Sequence, residues 1–332
     1  MSRNKDTDYL SLSARIRAME NRLLTRERME RMIDAKDHAE AAKVLSECGY
    51  GELGEVSGSA LEAMLTRAQS EVFRDLGSAV PDVNLIDVFR IKYDYHNAKV
   101  LVKAGALGSD PSRLLMGGGR YDPADLLENW QKENLRAYSE TFRDSVLRAQ
   151  EALAGTGDPQ LCDFILDRAC YAELTAAAKA SGSKFVQGYV ALLIDVINLR
   201  CAVRASRLNK GGDFLQQVLL PGGNVDTDKL IRTKGEDLGH AFSFGLLAEA
   251  AALGAAVSAP GSGPLTAFER ACDNAVTAYV SDAKRVPFGE QPVVGYLYAR
   301  EAELTAIRII MSGRMAGLDG DTIRERLRDS YV

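Results

Sequence analysis

The sequence predicts an all-α protein, and three observations carry that expectation. Apolar residues recur at three- and four-residue spacing along most of the chain, which places them on one face of successive helices. Asp-Pro pairs and glycine clusters punctuate it where helices would start and stop. Short motifs return about every 100 residues, which is the mark of a repeated structural unit. The chain has 332 residues, 46% hydrophobic and 26% charged. That suits about two domains of ordinary size and excludes a disordered or collagen-like polymer.

The elements can be justified in order. Leu61, Met64, Leu65, Ala68, Val72 and Leu76 form one apolar stripe, so a helix is expected over 60–76. Asp110-Pro111, Asp122-Pro123 and Asp158-Pro159 each read as a helix start. Aspartate caps free amides, and proline suits the first helical position, where an N–H has no partner. Gly117-Gly118-Gly119, Gly211-Gly212, Gly222-Gly223 and Pro260-Gly261-Ser262-Gly263-Pro264 read as breaks that stop helices. Residues 185–199 are rich in β-branched side chains and resemble a strand, but the repeat makes them helical.

Three echoes define that repeat. Thr66-Arg67-Ala68-Gln69 resembles Asp167-Arg168-Ala169-Cys170 and Glu269-Arg270-Ala271-Cys272. Asp94-Tyr-His-Asn97-Ala-Lys99 matches Asp195-Val-Ile-Asn198-Leu-Arg200 and Glu303-Leu-Thr-Ala306-Ile-Arg308. Leu115-Met-Gly-Gly-Gly-Arg-Tyr-Asp122 pairs with Leu219-Leu-Pro-Gly-Gly-Asn-Val-Asp226. The order is kept and the spacing is nearly constant. Three homologous helical-bundle units follow, 1–109, 110–212 and 213–332, the last with a C-terminal tail helix. Units that pack alike and close would be related by a pseudo-three-fold axis with a hollow able to hold another protein's shaft.

Composition narrows the function classes. The 41 basic and 46 acidic residues give a net charge of −5, which argues against coating nucleic acid by bulk charge. Cys48, Cys162, Cys170, Cys201 and Cys272 include no Cys-x-x-Cys pair, so a disulfide framework or zinc ribbon is not expected and a reducing compartment is. The opening Met-Ser-Arg-Asn-Lys-Asp carries no apolar segment behind it, so no secretory leader is expected. No run approaches about 18 apolar residues, so no membrane span is expected. No Gly-x-x-x-x-Gly-Lys-Ser/Thr phosphate cradle or Gly-x-Ser-x-Gly elbow occurs. Three histidines, with Asp237-Leu-Gly-His240 as the one approach to Glu-x-x-His, do not build a catalytic metal site. No catalytic, metal or cofactor residue is assigned.

What remains are polar residues on apolar helices. Asp94 and Asn97 share a helix face, as do Asp195 and Asn198, and this predicts buried hydrogen bonds between helices. Asp94 and Lys99, Asp195 and Arg200, and Glu303 and Arg308 lie five residues apart, about 140° round a helix. Carboxylate and cation should therefore not pair with each other, and at least two of the three carboxylates are expected to accept hydrogen bonds from another helix, with backbone amides or an adjacent unit's cation as donors. Arg200, Arg204, Arg207 and Lys210 form a basic stripe, expected to face solvent or an acidic neighbour.

Longer motifs carry a resemblance. They are Tyr9-Leu-Ser-Leu-Ser-Ala-Arg-Ile-Arg-Ala-Met-Glu20, the junction Leu219-Leu-Pro-Gly-Gly223, Pro287-Phe-Gly-Glu-Gln-Pro-Val-Val-Gly-Tyr-Leu-Tyr-Ala-Arg-Glu301 and Ile323-Arg-Glu-Arg-Leu-Arg-Asp-Ser-Tyr-Val332. Together these resemble the C-type subunit of V-type and A-type rotary ATPases, whose eukaryotic counterpart is the d-type subunit, over essentially the whole chain. Ala306 departs from the family pattern, which usually offers Asn there. The resemblance implies a non-catalytic, all-helical funnel of three bundles on the cytoplasmic side of the membrane. It would be peripheral to the inner face, seated on the membrane rotor ring, and would receive the foot of the central shaft (D- and F-type subunits). Torque would pass through it for ion transport or ATP synthesis. Two other readings of the residues compete with it: an unrelated helical scaffold that binds peptides, and a helical metalloenzyme.

Overall fold

The computed structural model of the protein describes residues 5–243 and 245–332. Met1 to Asn4, which enter the leader reading, lie outside them. Helix takes 71% of the chain and no strand occurs among the described residues, so the fold is all-α. In chain order the helices are α1 (Leu10–Glu20), α2 (Arg26–Ile33), α3 (His38–Glu47), α4 (Gly58–Gly77), α5 (Asn84–Leu107), α6 (Pro123–Gln131), α7 (Glu140–Thr156) and α8 (Pro159–Ala180). They continue with α9 (Lys184–Arg207), α10 (Gly212–Val218), α11 (Thr227–Arg232), α12 (Leu238–Ala241), α13 (Ala248–Ala256), α14 (Thr266–Ser281), α15 (Glu290–Met315) and α16 (Gly320–Arg326).

Local chemistry explains most starts. Asp122 and Asp158 cap α6 and α8 with proline at the first helical position, and Asp226 caps α11. Each carboxylate accepts backbone amides that the first turn leaves free. Asp110-Pro111 departs from this pattern and opens a turn. Asp110 accepts from the backbone N and the hydroxyl of Ser112 instead, at 3.0 and 2.6 Å. Residues 185–199 are helical, inside α9.

The chain divides into two compact units. Asp82–Val190 forms one, in which α5, α7 and α8 pack as a bundle. Its core includes an aromatic group in which Phe142 meets Tyr95, Tyr121 and Tyr138 with ring centroids 5.4, 5.3 and 5.7 Å apart. Such pairs stabilise by about 0.5–1.5 kcal/mol beyond their burial. Met1–Pro81 and Ala191–Val332 form the other unit. There α15 packs against α1, α2, α3, α4 and α16. Leu304, Ile307, Ile310 and Met311 of α15 share a buried cluster with Met32, Leu45, Leu61 and Leu65. The stripe expected over 60–76 is this face of α4, with Leu61, Leu65 and Leu76 buried and Met64, Ala68 and Val72 half-buried.

Among the described residues one helix, α9, is long and apolar enough by length and composition to cross a membrane. Most of that stretch, 61%, is buried inside the protein, and Asp195 and Asn198 within it are tied to neighbouring loop backbone. It is a core helix of this fold.

Candidate functional site

The polar residues singled out in the repeat build two copies of one clasp. In the first, Asp94 on α5 is fully buried. Its Oδ1 accepts the backbone amides of Arg120 and Tyr121 at 2.8 and 3.2 Å, and its Oδ2 accepts Arg120 Nε at 2.6 Å. One turn on, Asn97 brackets Met116: Nδ2 donates to its carbonyl and Oδ1 accepts its amide, both at 2.8 Å. In the second copy, Asp195 accepts the amides of Asn224 and Val225 at 3.0 and 3.1 Å, and Asn224 Nδ2 at 2.8 Å. Asn198 brackets Leu220 in the same way, again at 2.8 Å twice. The partners are loop backbone rather than a second helix. A loop buried against a helix has no ladder to satisfy its amides, so side chains must do it.

The glycines belong to the clasp and do not stop helices at 117–119 and 222–223. A Cβ on Gly119 would lie 2.3 Å from Asp94 Oδ1, and one on Gly223 2.2 Å from Asp195 Oδ1. Gly118 and Gly222 supply left-handed backbone at φ 91° and 101° just before.

The third copy differs. Glu303 on α15 is buried and accepts Tyr50 Oη at 2.5 Å and Arg300 Nη1 at 3.0 Å. Ala306 stands where the clasp has asparagine, and its methyl packs half-buried against the apolar cluster. Burial pushes all three carboxyls, Asp94, Asp195 and Glu303, above the ordinary range. Arg120 opposes that shift at Asp94, Asn224 and the loop amides at Asp195, and Arg300 and Tyr50 at Glu303.

Each cation five residues on finds a carboxylate elsewhere. Lys99 meets Asp167 on α8 at 2.6 Å, Arg200 meets Glu269 and Asp273 on α14 at 2.6 and 2.7 Å, and Arg308 grips Glu62 on α4 at 2.6 and 2.9 Å. Asp167 and Glu269 are equivalent positions of the first echo. Glu62 lies one turn before the equivalent Thr66. The basic stripe is taken up by the chain itself: Arg204 pairs with Glu269, and Arg207 donates to the carbonyls of Val257 and Gly263. Lys210 lies over the Phe214 ring.

Several features escaped the sequence reading. Arg120 also donates to Glu173 at 2.5 Å, and Glu173 accepts Ser139 Oγ, so the first clasp sits in a buried ionic network. A further echo ends the three long helices. The amides of Ser109, Lys210 and Leu318 bond the carbonyls of Ala104, Ala205 and Gly313, after left-handed residues Gly108, Asn209 and Gly317. This is a Schellman stop in triplicate, at the same spacing as the other echoes. The pairs Leu107-Gly108, Leu208-Asn209 and Ala316-Gly317 were its visible signal. The C-terminal tail after α16 buries Tyr331, and Arg328 reaches Asp273 at 2.6 Å.

No group of three or more His, Cys, Asp or Glu suited to a metal ion occurs among the described residues. His96 is exposed, with Nε2 3.1 Å from the Leu114 carbonyl. No disulfide joins cysteines among the described residues, and burial pushes the Cys170 and Cys272 thiols up to about 12, which keeps them protonated.

Comparison with known proteins accounts for a chain built of braces and loop clasps. Residues 12–326 match the family described as ATP synthase (C/AC39) subunit. The chain is 22% identical to the C-type subunit of the V-type sodium ATPase of Enterococcus hirae, covering 98% of this chain and 99% of that one. It is 26% identical to the C-type subunit of the A-type ATP synthase of Halorubrum lacusprofundi, covering 95% of each. It is 26% identical to the C-type subunit of the V-type ATP synthase of Thermus thermophilus, covering 96% of this chain and 98% of that one. The chain therefore belongs to the ATP synthase (C/AC39) subunit family, a structural and non-catalytic subunit of V- and A-type rotary ATPases whose partners are the other subunits of the complex.

Proposed function

We propose that the protein is a central-stalk subunit that couples the rotary shaft, made of D- and F-type subunits, to the membrane rotor ring. It transmits torque for ion transport or ATP synthesis from the cytoplasmic face of the membrane, as a peripheral subunit. The observation that carries this reading is the family match across residues 12–326, in a chain whose repeated cations Lys99, Arg200 and Arg308 are engaged in bracing. A torque-bearing spacer needs stiffness. Helices tied by ion pairs and by loops clasped through two or three hydrogen bonds supply it. The helix stops and ion pairs in triplicate support three related units, 1–109, 110–212 and 213–332, around a pseudo-three-fold axis.

Purification of a tagged chain from membranes under mild detergent tests the partners. Shaft subunits and the ring protein should co-purify in fixed ratio. Recovery of the chain with peripheral stator components alone, and with neither shaft nor ring, would contradict the reading.

A further inference from the structure

A polar cleft of about 550 Å³ lies between α4, the loop after α3 and the middle of α15. Tyr50, Arg67, Glu71, Arg74, Asp75 and Arg300 line it. Arg300 makes both of its hydrogen bonds through Nη1, to Tyr50 Oη at 2.9 Å and Glu303 at 3.0 Å. Its Nε is buried and has no partner. The Arg300 guanidinium lines the cleft, where its charge would attract an oxyanion. Arg67 and Arg74 stand on the wall, exposed and without a partner among the described residues. Asp75 is already held by Arg15, which leaves Glu71 as the one opposing carboxylate among these lining groups.

Spacing then selects the ligand. Arg67 and Arg74 are seven residues apart, about 10 Å along the helix. An anion with two or more separated charges spans that distance better than a single phosphate does. We infer that this cleft binds a small polyanion, an oligophosphate or a polycarboxylate, through Arg67, Arg74 and Arg300, a site separate from the coupling role. The volume suits a small molecule. Glu71 sets a charge threshold, because it disfavours weakly charged ligands more than strongly charged ones.

Calorimetric titration of the full chain at low salt, with tripolyphosphate, citrate and orthophosphate as probes, tests this. Tripolyphosphate or citrate should bind saturably with one site per chain, and orthophosphate at least about tenfold more weakly. Whichever of the first two binds assigns the charge to phosphates or carboxylates. Arg67→Ala and Arg74→Ala should each weaken binding about tenfold, and Glu71→Gln should tighten it. Arg285→Ala, at an exposed arginine outside the cleft, should change nothing. Arg67 and Arg74 hold no contact the fold needs, so thermal unfolding should be unaltered in those variants. Absence of saturable binding by both polyanions, or equal losses in Arg285→Ala and the cleft variants, would overturn the inference.

Discussion

Asp94 and Asp195 occupy the same place in two copies of one motif. Each accepts two loop amides, but the next donor is an arginine at position 120 and an asparagine at position 224. Asp94 is thereby tied to a cation that also binds Glu173, while Asp195 faces neutral donors alone. The backbone geometry is the same to within a few tenths of an ångström in hydrogen-bond length. The loop's unsatisfied amides demand a buried acceptor, and any donor that completes it is tolerated. Charge compensation is therefore the variable part of the clasp, and the fold constrains only the acceptor and the glycine beside it.

The largest effect should separate the two copies. Arg120→Ala leaves Asp94 and Glu173 buried without their cation and should cost about 3–5 kcal/mol, whereas Asn224→Ala removes one neutral donor and should cost about 1.5 kcal/mol. Denaturant unfolding of both purified variants measures this. Equal losses would mean that the charge at position 120 is immaterial. Next, the glycines should behave alike in both copies. Gly119→Ala and Gly223→Ala each push a methyl into a carboxylate that hydrogen bonds hold in place, at about 1–3 kcal/mol. A neutral result at either site would show that its loop can withdraw.

The pH dependence sharpens the contrast further. Burial raises the Asp195 carboxyl, so the folded state favours its protonated form. That contribution is full below the ordinary aspartate range and is lost as pH rises through the raised value. The melting temperature of the natural chain relative to Asp195→Asn should therefore fall as pH rises from the ordinary aspartate range upward. A difference that grows with pH would reverse the sign. The smallest effect belongs to the exposed braces. Glu62→Ala breaks its pair with Arg308, both partners being well exposed at 48% and 39%, and should cost under about 1 kcal/mol.

Much of this was legible in the sequence because the repeat doubles each local signal. The helical reading of 185–199 came from its match to 94–99, against its own β-branched composition. Asp94, Asp195 and Glu303 could be picked out as buried because acids rarely recur on apolar faces. Backbone amides were legible as the kind of donor, but not that they come from loops. A loop amide has no side-chain signature, so the clasp looked like a contact between helices, and glycines that admit a carboxylate looked like helix stops. Arg120 with Glu173, and Tyr50 with Glu303, join residues 53 and 253 positions apart. Nothing local encodes such pairings. Asp110-Pro111 misled for a related reason: the same dipeptide that starts α6 and α8 also makes a tight turn when Ser112 competes for the carboxylate.

The coupling role is tested most directly in inverted membrane vesicles carrying the assembled ATPase. Stripping the chain from the complex should abolish the ATP-driven ion gradient while ATP hydrolysis by the catalytic head continues, and adding back the purified chain should restore the gradient. Undiminished pumping by vesicles shown to lack the chain would contradict the account.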